Sequence, residues 1–182
     1  GYILFLSRVA RAKGIYDLVI AYGQMRCRDR VRLVVAGSGP ALEHVRAMSK
    51  EDDRITFITD VDDREKPLLM AGCAAYVLPT KPEPDFVETF GIALAEKMLA
   101  GGGPIVTTLT GGTGEAVGDT AVITEPGDIA ALAETVDRVV LDMPEAEKRD
   151  LARRARDRAM LFDRGVVFDS LFPSAAPAAA VG

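Results

Sequence analysis

Positive charge in excess, histidine, cysteine and long apolar runs are all scarce in this sequence, and each shortage closes a class of function. Lys and Arg number 22 against 27 Asp and Glu, giving a net charge of −5. Overall charge therefore cannot drive binding to nucleic acid or to an anionic membrane, although local basic clusters stay open. The lone histidine, His44, shares a predicted helix with Leu42, Val45 and Met48 and reads as a surface residue. Neither a Ser-His-Asp nor a Cys-His hydrolase constellation can be built around it. The two cysteines, Cys27 and Cys73, form no Cys-x-x-Cys pair, which argues against a disulfide framework and a zinc site. Such usage fits a reduced, cytoplasmic protein. The longest apolar stretch, Met70 to Leu78, is far below the ~18 residues that span a bilayer, so no transmembrane segment is expected. Gly1 is followed at once by Tyr2-Ile3-Leu4-Phe5-Leu6 with no basic leader. Neither a signal peptide nor a natural start is expected there, and the chain reads as a fragment.

What is present is an alternation of strand and helix. Short apolar runs bounded by turn residues predict strands at Tyr2 to Leu6, Arg32 to Ala36, Ile55 to Ile58, Ala75 to Leu78, Pro104 to Thr107 and Ala121 to Ile123. They are near-continuous hydrophobics, the pattern of parallel strands covered on both faces. Between them, Ile15, Leu18, Val19 and Tyr22, and later Ile129, Leu132, Val136, Val139 and Val140, recur at helical steps. The fold class expected is α/β: a doubly wound, mostly parallel, Rossmann-like sheet with helices on both faces. From Pro144 to Phe162 a charged amphipathic helix is predicted, with Leu151, Ala155, Ala159 and Phe162 on one stripe. At 182 residues a single domain over 1–172 is expected, with an Ala/Pro tail over 173–182 that has almost nothing to bury and is expected to be disordered.

In such sheets ligands bind beyond the carboxyl ends of the strands, so the loops there are the ones to read. After the first strand, Arg8 and Lys13 lie in a loop ending at Gly14. Two fixed cations suit a phosphate or diphosphate, and solvated surface residues are the plainer alternative. After the second strand, Gly37-Ser38-Gly39-Pro40 is a tight turn that either admits an anionic ligand or is only a turn; the third glycine of the dinucleotide fingerprint is missing. After the fourth strand come Glu88 and Glu96. Glu96 either reaches solvent or accepts hydrogen bonds from two adjacent hydroxyls, as on a ribose. The backbone of Phe90, Gly91 and Ile92 opens a helix whose positive end can hold phosphate. Asp60-Val61-Asp62 matches a short metal motif, but Asp62 followed by Glu65 is also a capping box, which is the favoured reading. Glu115 is read as structural, placed in a first helical turn.

Taken in order, Arg8 with Lys13-Gly14, Gly37-Ser38-Gly39-Pro40, Glu88-x-Phe90-Gly91 with Glu96, and Gly111-Gly112-Thr113-Gly114-Glu115 resemble the carboxyl-terminal half of family-4 retaining glycosyltransferases of the GT-B fold, over roughly residues 2 to 172. The resemblance implies a nucleotide-sugar donor domain that uses no metal and no cofactor. Arg8 and Lys13 would neutralise the donor diphosphate and Glu88 would bind sugar hydroxyls, these being the catalytic candidates. Glu96 would hold the ribose, Phe90, Gly91 and Ile92 would contact sugar and phosphate, and Ile58 to Val61 would border the base. Gly37 and Gly39 complete the donor-binding set. The partners implied are a nucleotide sugar and a missing amino-terminal acceptor domain, in the same chain or a partner chain, with no nucleic acid. A stand-alone nucleotide-sugar-binding module and a GT-B-like sugar-nucleotide epimerase are the alternatives. Three departures from the family pattern stand out: Thr59 in place of a usual glycine, Lys97 in place of a habitual alanine, and the proline-rich stretch Lys81 to Val87 before Glu88.

Overall fold

The computed structural model describes residues 1–84 and 91–162. Six strands, β1 (Tyr2–Leu6), β2 (Arg32–Ala36), β3 (Ile55–Ile58), β4 (Ala75–Leu78), β5 (Ile105–Thr107) and β6 (Val122–Ile123), form one sheet in the order β3-β2-β1-β4-β5-β6. Every pairing is parallel. The doubly wound α/β expectation is met. The last two strands start one residue later than the apolar runs predict. Pro104 has no N–H to give a ladder, and contributes only its carbonyl, which accepts from the Tyr76 N–H at 2.9 Å.

Consecutive residues Ile3, Leu4 and Phe5 are fully buried, as they must be where helices cover both faces. Those helices are α1 (Ile15–Gln24), α2 (Leu42–Met48), α3 (Glu65–Gly72), α4 (Ile92–Ala100), α5 (Thr113–Val117), α6 (Ile129–Asp137) and α7 (Glu145–Met160). The chain leaves β1 toward β2 on one side and later returns to β4 on the other. Right-handed crossovers running in opposite directions put their helices on opposite faces. Accordingly α1 packs on α2 and α6, while α4 packs on α3, α5 and α7. In α7, Leu151, Ala155 and Ala159 are buried, and the outer side carries Arg153 on Asp150 at 2.7 Å and Arg154 on Asp119 at 2.8 Å. The helix is the solvated amphipathic one predicted. The tail over 173–182 lies outside the described residues.

Asp137 ties the two ends of one helical layer together. Its carboxylate, at the end of α6, accepts from the backbone N–H groups of Arg26 (2.9 Å) and Cys27 (2.8 Å), just after α1, and from Arg26 Nε at 3.2 Å. Burial pulls its pKa upward, but these donors outweigh it and hold the carboxyl below the usual range. Cys27 beneath it is pushed up to about 12, first by burial and then by Asp137. Burial likewise raises Cys73.

Lys97 is the unusual member of the core, only 2% exposed on α4. Its ammonium donates to the Gly101 carbonyl at the end of the same helix, where a cation is favoured by the exposed carbonyls. Burial still lowers its pKa from the usual lysine value. Unfolded lysine holds its proton up to ~10.4, so the unfolded chain binds more protons across the window between the lowered pKa and that value. Stability attributable to this group therefore rises with pH there. Lys97→Met is expected to raise stability at neutral pH by about 1 kcal/mol, because losing a desolvated charge outweighs losing one hydrogen bond. Thermal unfolding across alkaline pH checks both points, and the variant's profile should be the flatter.

Candidate functional site

A cleft of about 760 Å³ opens at the carboxyl ends of β1, β2 and β4. It lies where the strand order reverses, between β1 and β4, so two loops leave in opposite directions and leave a crevice between them. Arg8 and Lys13 reach it from the loop after β1, Gly37 and Gly39 from the loop after β2, and Thr59 and Val61 from the loop after β3. Gly91, Ile92 and Glu96 reach it from the start of α4.

The first loop is shaped by a single 3₁₀ turn, Arg11–Lys13, closed by Gly14 at φ 72°. Gly14 is there for two reasons: its backbone is left-handed, and a Cβ on it would sit 1.9 Å from the Pro79 carbonyl oxygen. Lys13 is half-buried, whereas Arg8 is exposed, and no hydrogen bond or ion pair links Arg8 to another described residue. The second loop is stitched to the first through backbone bonds: Ser7 N–H to Ala36 O (3.2 Å), Val9 N–H to Ser38 O (2.9 Å) and Ala41 N–H to Val9 O (3.0 Å). A Cβ on Gly37 would lie 2.2 Å from the Ser7 carbonyl. The glycine pair thus serves the meeting of two loops as well as lining the cleft, a reason that neither a bare turn nor ligand approach had supplied.

After β3, the Asp62 carboxylate accepts from the N–H groups of Arg64 and Glu65, both at 2.8 Å, and Glu65 accepts in return from the Asp62 N–H at 3.3 Å. This is the reciprocal capping box, and it commits one Asp62 oxygen to the helix entry. The helix so launched carries Lys66, which lines the cleft and pairs with Asp63 at 2.8 Å. Asp63 holds the Lys66 pKa above its usual value, with Glu96 adding to the effect. Sequence reading missed Lys66; its only signal was the Asp63 three residues before it. On α4, the Gly91 carbonyl is taken by Leu94 and Ala95, which leaves the N–H groups of Ile92 and Ala93 without intrahelical acceptors at the cleft.

The structure therefore brings Arg8, Lys13, Gly37, Gly39, Val61, Gly91, Ile92 and Glu96 to one opening. Ile58 sits below it as a strand residue, its carbonyl accepting from the Gly37 N–H at 2.8 Å. Glu88 and Phe90 lie outside the described residues. His44 is exposed and its Nδ1 meets the Tyr16 hydroxyl at 3.3 Å, away from the cleft. Glu115 is exposed in the first turn of α5. The cleft thus gathers cations on one wall, a helix start on another and the Glu96 carboxyl beside it, groups that can meet an anion and hydroxyls together.

Residues 1–142 match the family described as Glycosyl transferases group 1. The chain belongs to this family. It is 36% identical over 162 residues to the glycogen synthase of Mycobacterium tuberculosis, a match covering 86% of this chain and 37% of that relative. It is 28% identical over 160 residues to the N-acetyl-alpha-D-glucosaminyl L-malate synthase of Bacillus anthracis, covering 85% of this chain and 39% of that one. The chain thus spans well under half the length of the relatives it matches. Among solved structures, Anabaena HepE in complex with UDP and glucose superposes with a TM-score of 0.77 at 23% identity, over 94% of this chain and 47% of that chain. The catalytic domain of cholesterol-alpha-glucosyltransferase from Helicobacter pylori gives 0.75 at 18% identity, over 88% and 98%. These neighbours share the GT-B type of six-stranded, Rossmann-like sheet. Among the described residues no helix is long and apolar enough to cross a membrane.

Two glycines test the local geometry. Gly14→Ala should destabilise the chain by about 2 kcal/mol or more, since left-handed strain and a backbone clash add. Gly23→Ala, inside α1 with nothing within 4 Å of its new methyl, should stabilise it by about 0.5–1 kcal/mol. Denaturant unfolding of both variants should show opposite signs.

Proposed function

We propose that this chain is the donor-binding part of a family-4, retaining, metal-independent glycosyltransferase. It would take a sugar from a nucleoside diphosphate sugar and pass it to an acceptor. An amino-terminal half, in the same chain or a partner chain, would complete the cleft. The observation that carries the reading is the gathering of Arg8, Lys13, the opening of α4 and Glu96 around one cleft at the strand-order reversal. The glycosyltransferase names of its relatives and the UDP and glucose of the HepE neighbour support it.

In this reading the chemistry is electrostatic. As the bond from the anomeric carbon to the diphosphate oxygen lengthens, negative charge grows on the leaving group. Arg8, Lys13 and the free N–H groups of Ile92 and Ala93 face that charge, and they stabilise it more in the transition state than in the ground state. Glu96 accepts from the ribose hydroxyls, and Glu88 holds sugar hydroxyls. Asp62 works for the helix entry of α3 and is given no metal role.

Calorimetric titration of the chain with UDP, GDP and ADP should reveal one preferred nucleotide. Glu96→Ala should weaken that nucleotide about tenfold, the loss of hydrogen bonds to a charged acceptor; an unchanged Kd would remove the ribose role. In the full-length enzyme, Arg8→Ala should lower kcat by ~10²- to 10³-fold. Wild-type turnover in that variant would remove Arg8 from the reaction. The chain by itself should transfer no sugar, because half of its active site is elsewhere.

A further inference from the structure

The three-residue turn that carries Lys13 has no side-chain cap at its start; its own backbone closes it through the Lys13 N–H on the Ala10 carbonyl (3.0 Å) and the Gly14 N–H on the Arg11 carbonyl (2.9 Å). The chain leaving β4 braces it from outside. Pro79 packs its carbonyl against Gly14 so closely that a methyl there would collide. The Lys81 N–H donates to the carbonyl of Ala12, the residue before Lys13, at 3.0 Å. The Lys81 side chain then turns to α1 and grips the Asp17 carboxylate through both oxygens, at 3.0 and 2.9 Å. Both partners are largely buried, with side chains 18% and 12% exposed. By contrast, the neighbouring Arg11 to Glu83 pair joins a 72% exposed arginine to the same segment and is the kind of rim contact that contributes little.

These bonds close a ring. The turn runs through Gly14 into α1, Asp17 on α1 grips the Lys81 side chain, and the Lys81 backbone returns to the turn at Ala12. The Asp17 to Lys81 pair closes the circuit through largely buried side chains. It also settles a charge problem. Asp17 sits in the first turn of α1, four residues after Lys13 in the chain. Unmatched, its negative charge would oppose any anion that Lys13 is meant to hold, and Lys81 cancels it.

We propose that Lys81 is a positioning residue for anion binding: through Asp17 and the Ala12 carbonyl it fixes the turn that presents Lys13 to the cleft, without touching the ligand itself. Lys81 is absent from the cleft lining, whereas Lys13 is part of it. The inference rests on the donor-site reading above and adds to it a residue that reaches the diphosphate only through its neighbours.

The test uses the chain itself with whichever of UDP, GDP or ADP binds best, and the corresponding monophosphate. The readout is the ratio of the two affinities, which a general loss of folded protein does not move. Lys81→Met should cut the diphosphate preference about tenfold, and Lys81→Arg, which can still pair with Asp17, should keep most of it. If Lys81→Met fails to fold because Asp17 is left buried and unmatched, Asp17→Asn combined with Lys81→Met removes both charges and should show the same loss of ratio. A wild-type ratio in Lys81→Met or in the double variant, while Lys13→Ala lowers it, overturns the positioning role and leaves the donor site standing. A wild-type ratio in Lys13→Ala overturns the donor-site reading, and this inference with it.

Discussion

The pairing of β1 with β2 on one side and β4 on the other is the constraint from which the rest of the molecule follows. Ile3 is matched to Leu33 across one edge and to Ala75 across the other, so β1 is buried on every side. Its carboxyl end is the one place where the outgoing loops must separate. Much of what is polar in the cleft is attached to that separation: Arg8 and Lys13 follow β1, the glycine turn follows β2, and α4 begins beyond β4. A strand order that ran monotonically across the sheet would have the same loops and no crevice for them to share.

The loops themselves are held by backbone more than by side chains. Ser7, Val9, Ala36, Ser38 and Ala41 exchange N–H and carbonyl groups between the first and second loops, so that contact is made by backbone and not by the side chains of Arg8 and Lys13. Around β4 and β5 a cluster of hydroxyls does similar work. Thr80 meets Thr108 at 3.0 Å and Thr110 at 2.6 Å, and Thr113 donates to the Thr108 carbonyl at 2.7 Å. Buried polar groups are tolerable when each has such a partner. Rigid walls with charge at the rim are what preorganised electrostatic binding needs.

Much of this was legible in the sequence because it depends on local pattern. A run such as Tyr2-Ile3-Leu4-Phe5-Leu6 has no amphipathic alternative to a strand covered on both sides. Asp62 with Glu65 announces a helix start that the hydrogen bonds repeat. What stayed hidden is what depends on distant partners. Asp17 and Lys81 each look like ordinary surface charges until β4 is laid beside β1, and Lys66 gains a place at the cleft only once α3 is folded across the sheet end. The role of Gly37 escaped for the same reason: the atom its side chain would strike, the Ser7 carbonyl, belongs to another loop. Lys97 was visible as an odd substitution, but that it would be buried could not be read from a helix whose other residues already filled the apolar face.

The grip of Asp137 on the backbone around Cys27 has a practical side. A thiol pushed up to about 12 and shut inside the core holds almost no thiolate near neutrality, and Cys73, also buried and raised, is shielded in the same way. Alkylating dyes and spin labels react with thiolate that solvent can reach. A single cysteine introduced at the rim of the cleft would therefore be the one site of this chain labelled in the native state, and changes at the cleft could be followed by fluorescence without first stripping out its two natural sulfhydryls.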